Sequence, residues 1–331
     1  MTDRRLGRNT VIALLGVALL IGAGGPALGG IEPEFEAILR ANPDGSGVEQ
    51  VLPSNVAEGR GAFAMNSQFM FWVGGSSQSD FGNFFFLRRA TVDGGGVQDL
   101  LGPTVIAGIA VDTQGGKLYL SPQSDCAPGC TSIMRTNLDG SGGEFLFPAG
   151  FPTAIAFYAP GQLVCWSDFG FDDTFTDAIL CAQVGDSVGQ PVFDMDPAGL
   201  AIDPVGQKLY WVGDGLIRRA NLDGSDVELL VSGLDQPRDI VLDPAGGRMW
   251  WTEPFLGKIQ RANLDGTEVQ DVVGGLTAPT GIGYNAATDK IYWLSVTPGE
   301  GVSATTTVGG IVLGLLLLVA SSVLVLSRGR G

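Results

Sequence analysis

The chain has 331 residues, 45% of them apolar, with 51 glycines, no histidine and a formal net charge of −16. The apolar content suits a packed core and excludes a disordered chain, and the length admits two average domains or one large all-β domain. The acidic balance excludes nucleic acid as a partner, because phosphates demand lysine and arginine contacts. The lack of histidine removes every mechanism that needs imidazole as base or metal ligand.

Residues 1–30 read as a secretion signal. Arg4, Arg5 and Arg8 form a basic front, residues 11–21 form an apolar stretch too short to span a bilayer, and Ala27-Leu28-Gly29 offers small residues for cleavage. An uncleaved anchor is the weaker reading. Residues 31–297 then carry a pattern that recurs. The charged run ILRANPDG (38–45) returns as FLRRATVDG (86–94), IMRTNLDG (133–140), IRRANLDG (217–224) and IQRANLDG (259–266). Aromatic runs alternate with it, at Phe71-Trp72, Tyr119-Leu120, Cys165-Trp166, Tyr210-Trp211, Trp250-Trp251 and Tyr292-Trp293, spaced 40 to 48 residues apart. A period of that length signals a solenoid, propeller or array. Apolar runs ending in Asp-Pro (Asp203-Pro204, Asp243-Pro244) precede the aromatic ones.

The two copies from Leu209 to Leu234 and from Met249 to Leu276 carry the closest likeness to a known family. LYWVGDGLIRRANLDGSDVELLVSGL and MWWTEPFLGKIQRANLDGTEVQDVVGGL resemble the YWTD β-propeller repeats, the class B repeats of the low-density lipoprotein receptor. Neither has the full Tyr-Trp-Thr-Asp; Trp251-Thr252-Glu253 comes nearest. The resemblance spans about 36–297 and implies an all-β, six-bladed propeller of four-stranded blades. It also implies a role as a binding or ligand-release module in receptors and matrix proteins. The strands of a blade are here called A (apolar), B (aromatic), C (charged) and D (a run such as 227–231). The chain begins with C and D and ends with A and B. A shared sixth blade, closed by N-terminal C and D strands with C-terminal A and B strands, is therefore expected, leaving no unpaired end.

Trp72, Trp166, Trp211, Trp251 and Trp293 recur once per blade and are expected in the core between blades. Arg40, Arg135, Arg218 and Arg261 recur likewise and are expected to make polar contacts from blade to blade. Insertions that occur once are better sites for function, because loops carry function on a repeating scaffold. The B–C connections of blades 1 to 3 are long: 74–83, 121–130 and 167–177. The third holds Phe169, Phe171, Phe175, Asp172 and Asp173, which form the candidate ligand-binding site for a protein or peptide. Asp168, Asp172, Asp173 and Asp177 are candidates to hold calcium through oxygen ligands; their spacing is not that of an EF-hand, and no cofactor is expected otherwise. Four cysteines in an exported chain allow three pairings; the local one, Cys126–Cys130 with Cys165–Cys181, is expected, with free buried thiols as the alternative for the second pair.

Residues 298–307 read as a linker, 308–327 as a transmembrane helix of 20 uncharged residues, and 328–331 as a cytoplasmic tail with Arg328 and Arg330 on the inner side. The cell membrane, single-pass, with the propeller outside, is the expected location. Removal of the segment, leaving the domain at the cell surface, is the alternative. The outer part keeps 34 acidic and 14 basic residues, a net −20. The sequence therefore reads as a non-enzymatic binding module tethered to the membrane. The alternative is an extracytoplasmic hydrolase or lactonase with a carboxylate-bound metal in the propeller channel. No catalytic residue stands out.

Overall fold

The computed structural model describes residues 36–53, 59–79, 82–102, 104–123, 131–169, 178–193 and 197–296. Over these residues the chain forms 24 strands in six four-stranded sheets. In chain order, β1 (Glu36–Ala41) and β2 (Glu49–Leu52) open the fold. Blade 1 follows as β3 (Gly59–Met65), β4 (Phe69–Ser79), β5 (Gly82–Thr91) and β6 (Gln98–Leu101). Blade 2 has β7 (Val105–Asp112), β8 (Lys117–Gln123), β9 (Thr131–Asn137) and β10 (Glu144–Ala149). Blade 3 has β11 (Phe151–Tyr158), a 3-10 turn (Ala159–Gly161), β12 (Leu163–Phe169), β13 (Ala178–Gln183) and β14 (Gln190–Phe193). Blade 4 has β15 (Gly199–Asp203), β16 (Lys208–Gly213), β17 (Leu216–Asn221) and β18 (Glu228–Ser232). Blade 5 has β19 (Ile240–Asp243), β20 (Arg248–Glu253), β21 (Lys258–Asn263) and β22 (Gln270–Val273). Finally β23 (Ile282–Asn285) and β24 (Lys290–Val296) join β1 and β2 in the order β2-β1-β24-β23, the composite sixth blade that the offset of the repeat predicts. The register runs from Glu36 opposite Val296 to Ala41 opposite Ile291, so the chain enters and leaves the ring at one point.

Every pairing is antiparallel, and inner strands touch in the cyclic order β3, β7, β11, β15, β19, β23 and back to β3. The ring is therefore closed: each A strand, the inner edge of its sheet, packs against the A strands of both neighbouring blades. Alternation fixes what each face of a blade carries. Toward the preceding blade the A and B strands present large side chains, such as Leu200 with Trp211 and Ile240 with Trp251. Toward the following blade the A strand must be small, because blades converge at the axis. A Cβ on Gly108 would lie 2.4 Å from the Thr153 carbonyl oxygen, and one on Gly281 2.4 Å from that of Gly61. The five tryptophans that recur once per blade are fully buried, as is Trp250. Each large side chain removed from water contributes roughly 1.5–3 kcal/mol.

The outer rim is stitched by the Asn-Leu-Asp-Gly turns between C and D strands. Each D strand has a bulge against its C strand, leaving Val51, Leu100, Leu146, Val192, Leu230 or Val272 without a directly opposed residue. At five of these the glycine of the next blade's turn lies against the bulged residue; a methyl on Gly45, for instance, would sit 1.7 Å from the Val272 carbonyl oxygen. Gly45 has φ of +83°, which glycine adopts without strain. Within the turns, Asp223 Oδ1 accepts from the Ser225 amide at 3.0 Å and hydroxyl at 2.6 Å, and Asp265 does the same with Thr267. The hydroxyl donors first, then the amides, hold the carboxyls of Asp44, Asp139, Asp223 and Asp265 below the usual range.

Arginines make a second set of stitches. Arg40 donates to the Val92 carbonyl (3.3 Å), Arg89 to that of Leu138 (3.0 Å), Arg219 to that of Leu264 (3.0 Å) and Arg261 to that of Pro43 (3.4 Å), each on the next blade. This corrects the expectation in two places. The stitching residue in blade 4 is Arg219, opposite Tyr210, whereas Arg218 stands opposite Trp211 on the other face. Arg135 pairs with Glu144 of its own blade at 2.7 Å.

Residues 1–30 and 308–327, read above as signal and spanning helix, lie outside the described residues. Among the described residues no helix is long and apolar enough to cross a membrane.

Candidate functional site

The antiparallel order places B–C and D–A connections on one face of the ring and A–B and C–D turns on the other. A central cavity of about 1280 Å³ runs along the axis, walled by the six A strands, with Asp214 and Arg238 lining it on the first face and Pro204 and Pro244 on the second. At the level where neighbouring blades approach most closely, the A strands carry Ala62, Gly108, Ala154, Gly199, Asp239 and Gly281, which occupy equivalent register positions. Five are small for the packing reason given above. Asp239 is the exception, and it bridges two blades: Oδ1 accepts from the Ile240 amide and Oδ2 from the Ile282 amide, both at 2.9 Å. Desolvation in the channel wall pushes its carboxyl up to about 7, against the opposing pull of those two amides and of Arg238. The side chain still keeps partial exposure, toward the channel. Arg238, Asp235 and Gln236 are exposed beside it, and Asp214 completes the polar rim from the tight B–C turn of blade 4. On blade 5 the corresponding turn holds up Phe255 and Leu256, 65% and 51% exposed.

The long connections sit on this same face. In blade 1, residues expected as a loop are instead a continuation of the hairpin: β4 runs to Ser79, opposite Gly82 of β5, with a register break between Gly74 and Ser77. In blade 2, residues 124–130 lie outside the described residues, and with them Cys126 and Cys130. In blade 3, Phe169 ends β12, while Phe171, Asp172, Asp173, Phe175 and Asp177 lie outside the described residues.

Asp168, named above as a possible cation ligand, is buried and occupied. Its two oxygens accept from the amides of Gly150 (2.8 Å) and Phe151 (2.6 Å), and Oδ2 also from Trp166 Nε1 (3.3 Å). It thus pins the entry of β11. Glu253, at the same place in blade 5, does likewise: it accepts from the Asp235 amide at 2.8 Å in the connection entering β19. The last position of the Tyr-Trp-Thr-Asp pattern therefore serves to fasten the D–A connection. Among the described residues no group of three or more Cys, Asp or Glu side chains is placed to hold a metal ion.

Cys165 and Cys181 face each other across β12 and β13 and form the expected disulfide. The register shows what they replace. In the other blades this pair is an aromatic residue opposite an arginine, such as Tyr210 opposite Arg219, Tyr292 opposite Arg40 and Trp250 opposite Arg261.

Repeat, blade order and closure together define a six-bladed β-propeller of the YWTD type. Comparisons with known proteins agree with that class. Over 62 residues, 18% of this chain, it is 50% identical to low-density lipoprotein receptor-related protein 5 of Mus musculus, and the match takes in 4% of that protein's length. The crystal structure of a nidogen/laminin complex contains a chain that superposes with a TM-score of 0.56 at 20% identity, over 68% of this chain and 84% of that one. A gluconolactonase from Xanthomonas campestris superposes with a TM-score of 0.57 at 18% identity, over 84% of this chain and 99% of that one. At such identities these two structures speak to the fold alone. No protein-family model matches the chain.

Proposed function

We propose that residues 31–297 form an exported, non-enzymatic module that binds a protein or peptide partner, tethered to the membrane through 308–327. The observation that carries this reading is the grouping of the long B–C connections on adjacent blades of one face, while blades 4 and 5 have tight turns there. The likeness to a lipoprotein receptor-related protein and to a propeller crystallised in a nidogen/laminin complex supports a partner that is itself a protein. Phe169, Phe171 and Phe175 supply apolar contact area, and Asp172 and Asp173 the charge to choose a basic partner. The chain ends meet at Glu36 and Val296 on the same face. A linker of ten residues, 298–307, reaches at most about 35 Å, about one domain width for a radius of gyration near 18 Å. The ring then lies tilted beside the bilayer with blades 1 to 3 turned outward. A channel hydrolase or lactonase has the weaker support, since Asp239 spends both oxygens on backbone amides.

The test is a pair of variants of the membrane-anchored protein, read by cross-linking to neighbouring cell-surface proteins. One replaces 169–175 by a short Gly-Ser turn; the other alters the C–D turns at Asp223 and Asp265. The reading expects the first to lose the cross-linked partner and the second to keep it. Loss only in the second, with both folded, would overturn it.

A further inference from the structure

Five of the six seams between blades carry the glycine stitch at the outer rim, and four carry the arginine stitch. The seam between blades 2 and 3 has neither among the described residues. Its acceptor side is built: β10 bulges at Leu146 as the other outer strands do. Its donor side is not. Cys181 opposite Gln190 matches Arg219 opposite Glu228, so Gly185-Asp186 occupies the place of Asp223-Gly224. The dipeptide is reversed, and an aspartate stands where the docking glycine belongs. A side chain there is incompatible with the close approach the glycines make, and Asp186 folds back instead, accepting from the Gln183 amide at 2.8 Å. Gly185 has no atom within 4 Å of the place a Cβ would take. Arg135 pairs with Glu144 of its own blade, as Arg40 does with Glu49 and Arg219 with Glu228, but unlike them it makes no bond across the seam to a described residue.

Inward of the rim, blades 2 and 3 meet through apolar contacts. Phe147 stacks on Trp166 with centroids 5.4 Å apart, and Tyr119 on Phe157 at 4.3 Å. Nearer the axis, Ser121 Oγ donates to the Thr153 carbonyl at 2.7 Å. Apolar contact is non-directional and tolerates sliding, whereas the stitches fix distance and direction.

We propose that the outer half of the seam between blades 2 and 3 is the joint at which this ring opens first. Blade 3 moves there as a unit, because Cys165–Cys181 locks its two central strands together while its neighbours keep their stitches. The seam between blades 3 and 4 lacks the arginine but keeps Gly224 against Val192, so the motion is one-sided.

Hydrogen–deuterium exchange on the intact protein, resolved by peptide and corrected for intrinsic rates, tests this. Loss of even one stitch corresponds to about fivefold faster local opening. Peptides covering β10 and the β13–β14 turn should exchange at least about fivefold faster than those covering β6 and β22. The double substitution Gly185→Asp with Asp186→Gly restores the usual order and should slow β10 toward β22. Equal protection of β10, β6 and β22 in the natural protein overturns the proposal, whether or not the variant folds. So does a folded variant with β10 unchanged.

Discussion

Gly45→Ala puts the closure of the ring to a graded test. Gly45 belongs to the turn between β1 and β2, and an added methyl would lie 1.7 Å from the carbonyl oxygen of Val272 and 2.5 Å from its carbon. Both are backbone atoms of β22, so neither yields as a flexible side chain would. The φ of +83° adds a left-handed strain of about 1 kcal/mol for alanine. To escape the overlap the turn must lift from blade 5. It then gives up the Pro43 carbonyl as acceptor for Trp250 Nε1 (3.1 Å) and Arg261 Nη1 (3.4 Å), about 1 kcal/mol each. The sum is about 3–4 kcal/mol, or about 10 °C in melting temperature for a domain of this size. Gly96→Ala is the control: the same kind of turn in blade 1, φ of +61°, and open space around the added methyl. It should cost about 1 kcal/mol, the strain alone. Calorimetric melts of both variants decide the matter. If they agree to within about 2 °C, the turn of blade 6 is not docked as described.

Arg219→Ala should cost about 1–3 kcal/mol, since it removes the stitch to Leu264 and the bonds to Tyr210 and Glu228, while Arg218→Ala should be near neutral by denaturant titration. Peptide mapping without reduction should recover Cys165 linked to Cys181; replacing both by alanine should cost up to about 3 kcal/mol, the entropy of a loop of 16 residues plus lost packing. Asp239 has a folded-state value raised to about 7 from an ordinary 3.8, so the folded chain holds a proton that the unfolded chain releases. Its contribution is therefore full below the ordinary value and is lost as pH rises through about 7, by no more than about 4 kcal/mol. Melting temperature followed across that window should fall more steeply with pH in the natural protein than in Asp239→Asn; parallel curves would refute the assignment.

The repeat itself was legible because propeller blades restate their core once per period. The spacing of the six aromatic runs gave the blade count, and the order of charged and aromatic runs at the two ends gave the composite blade. The disulfide followed from adjacency of the aromatic and charged strands. The arginine register was not legible: Arg218 and Arg219 are neighbours of like chemistry, and only strand pairing decides which one faces the next blade. Asp168 looked like a member of an acidic loop, yet it ends the Trp-Ser-Asp run of a B strand, where the acid fastens the incoming connection as Glu253 does. Asp239 escaped notice because its meaning lies in what the other five blades put at the same level, glycine or alanine. The reversed Gly185-Asp186 likewise becomes visible only against aligned turns. The candidate ligand residues 171–175 draw no support from the repeat, being an insertion that no other blade shares.

Removal of residues 31–53 tests the central claim most directly, that the ring is closed by strands from both ends of the chain. That segment supplies Ile38 and Leu52 to one core cluster and Ala41 to another, together with the whole ladder against β24. Its loss should approach about 10 kcal/mol, counting burial of the larger side chains and about 1 kcal/mol for each net hydrogen bond, which is most of a typical domain's stability. The account predicts that the truncated protein loses its cooperative thermal transition. A truncated protein that melts like the intact one would contradict it.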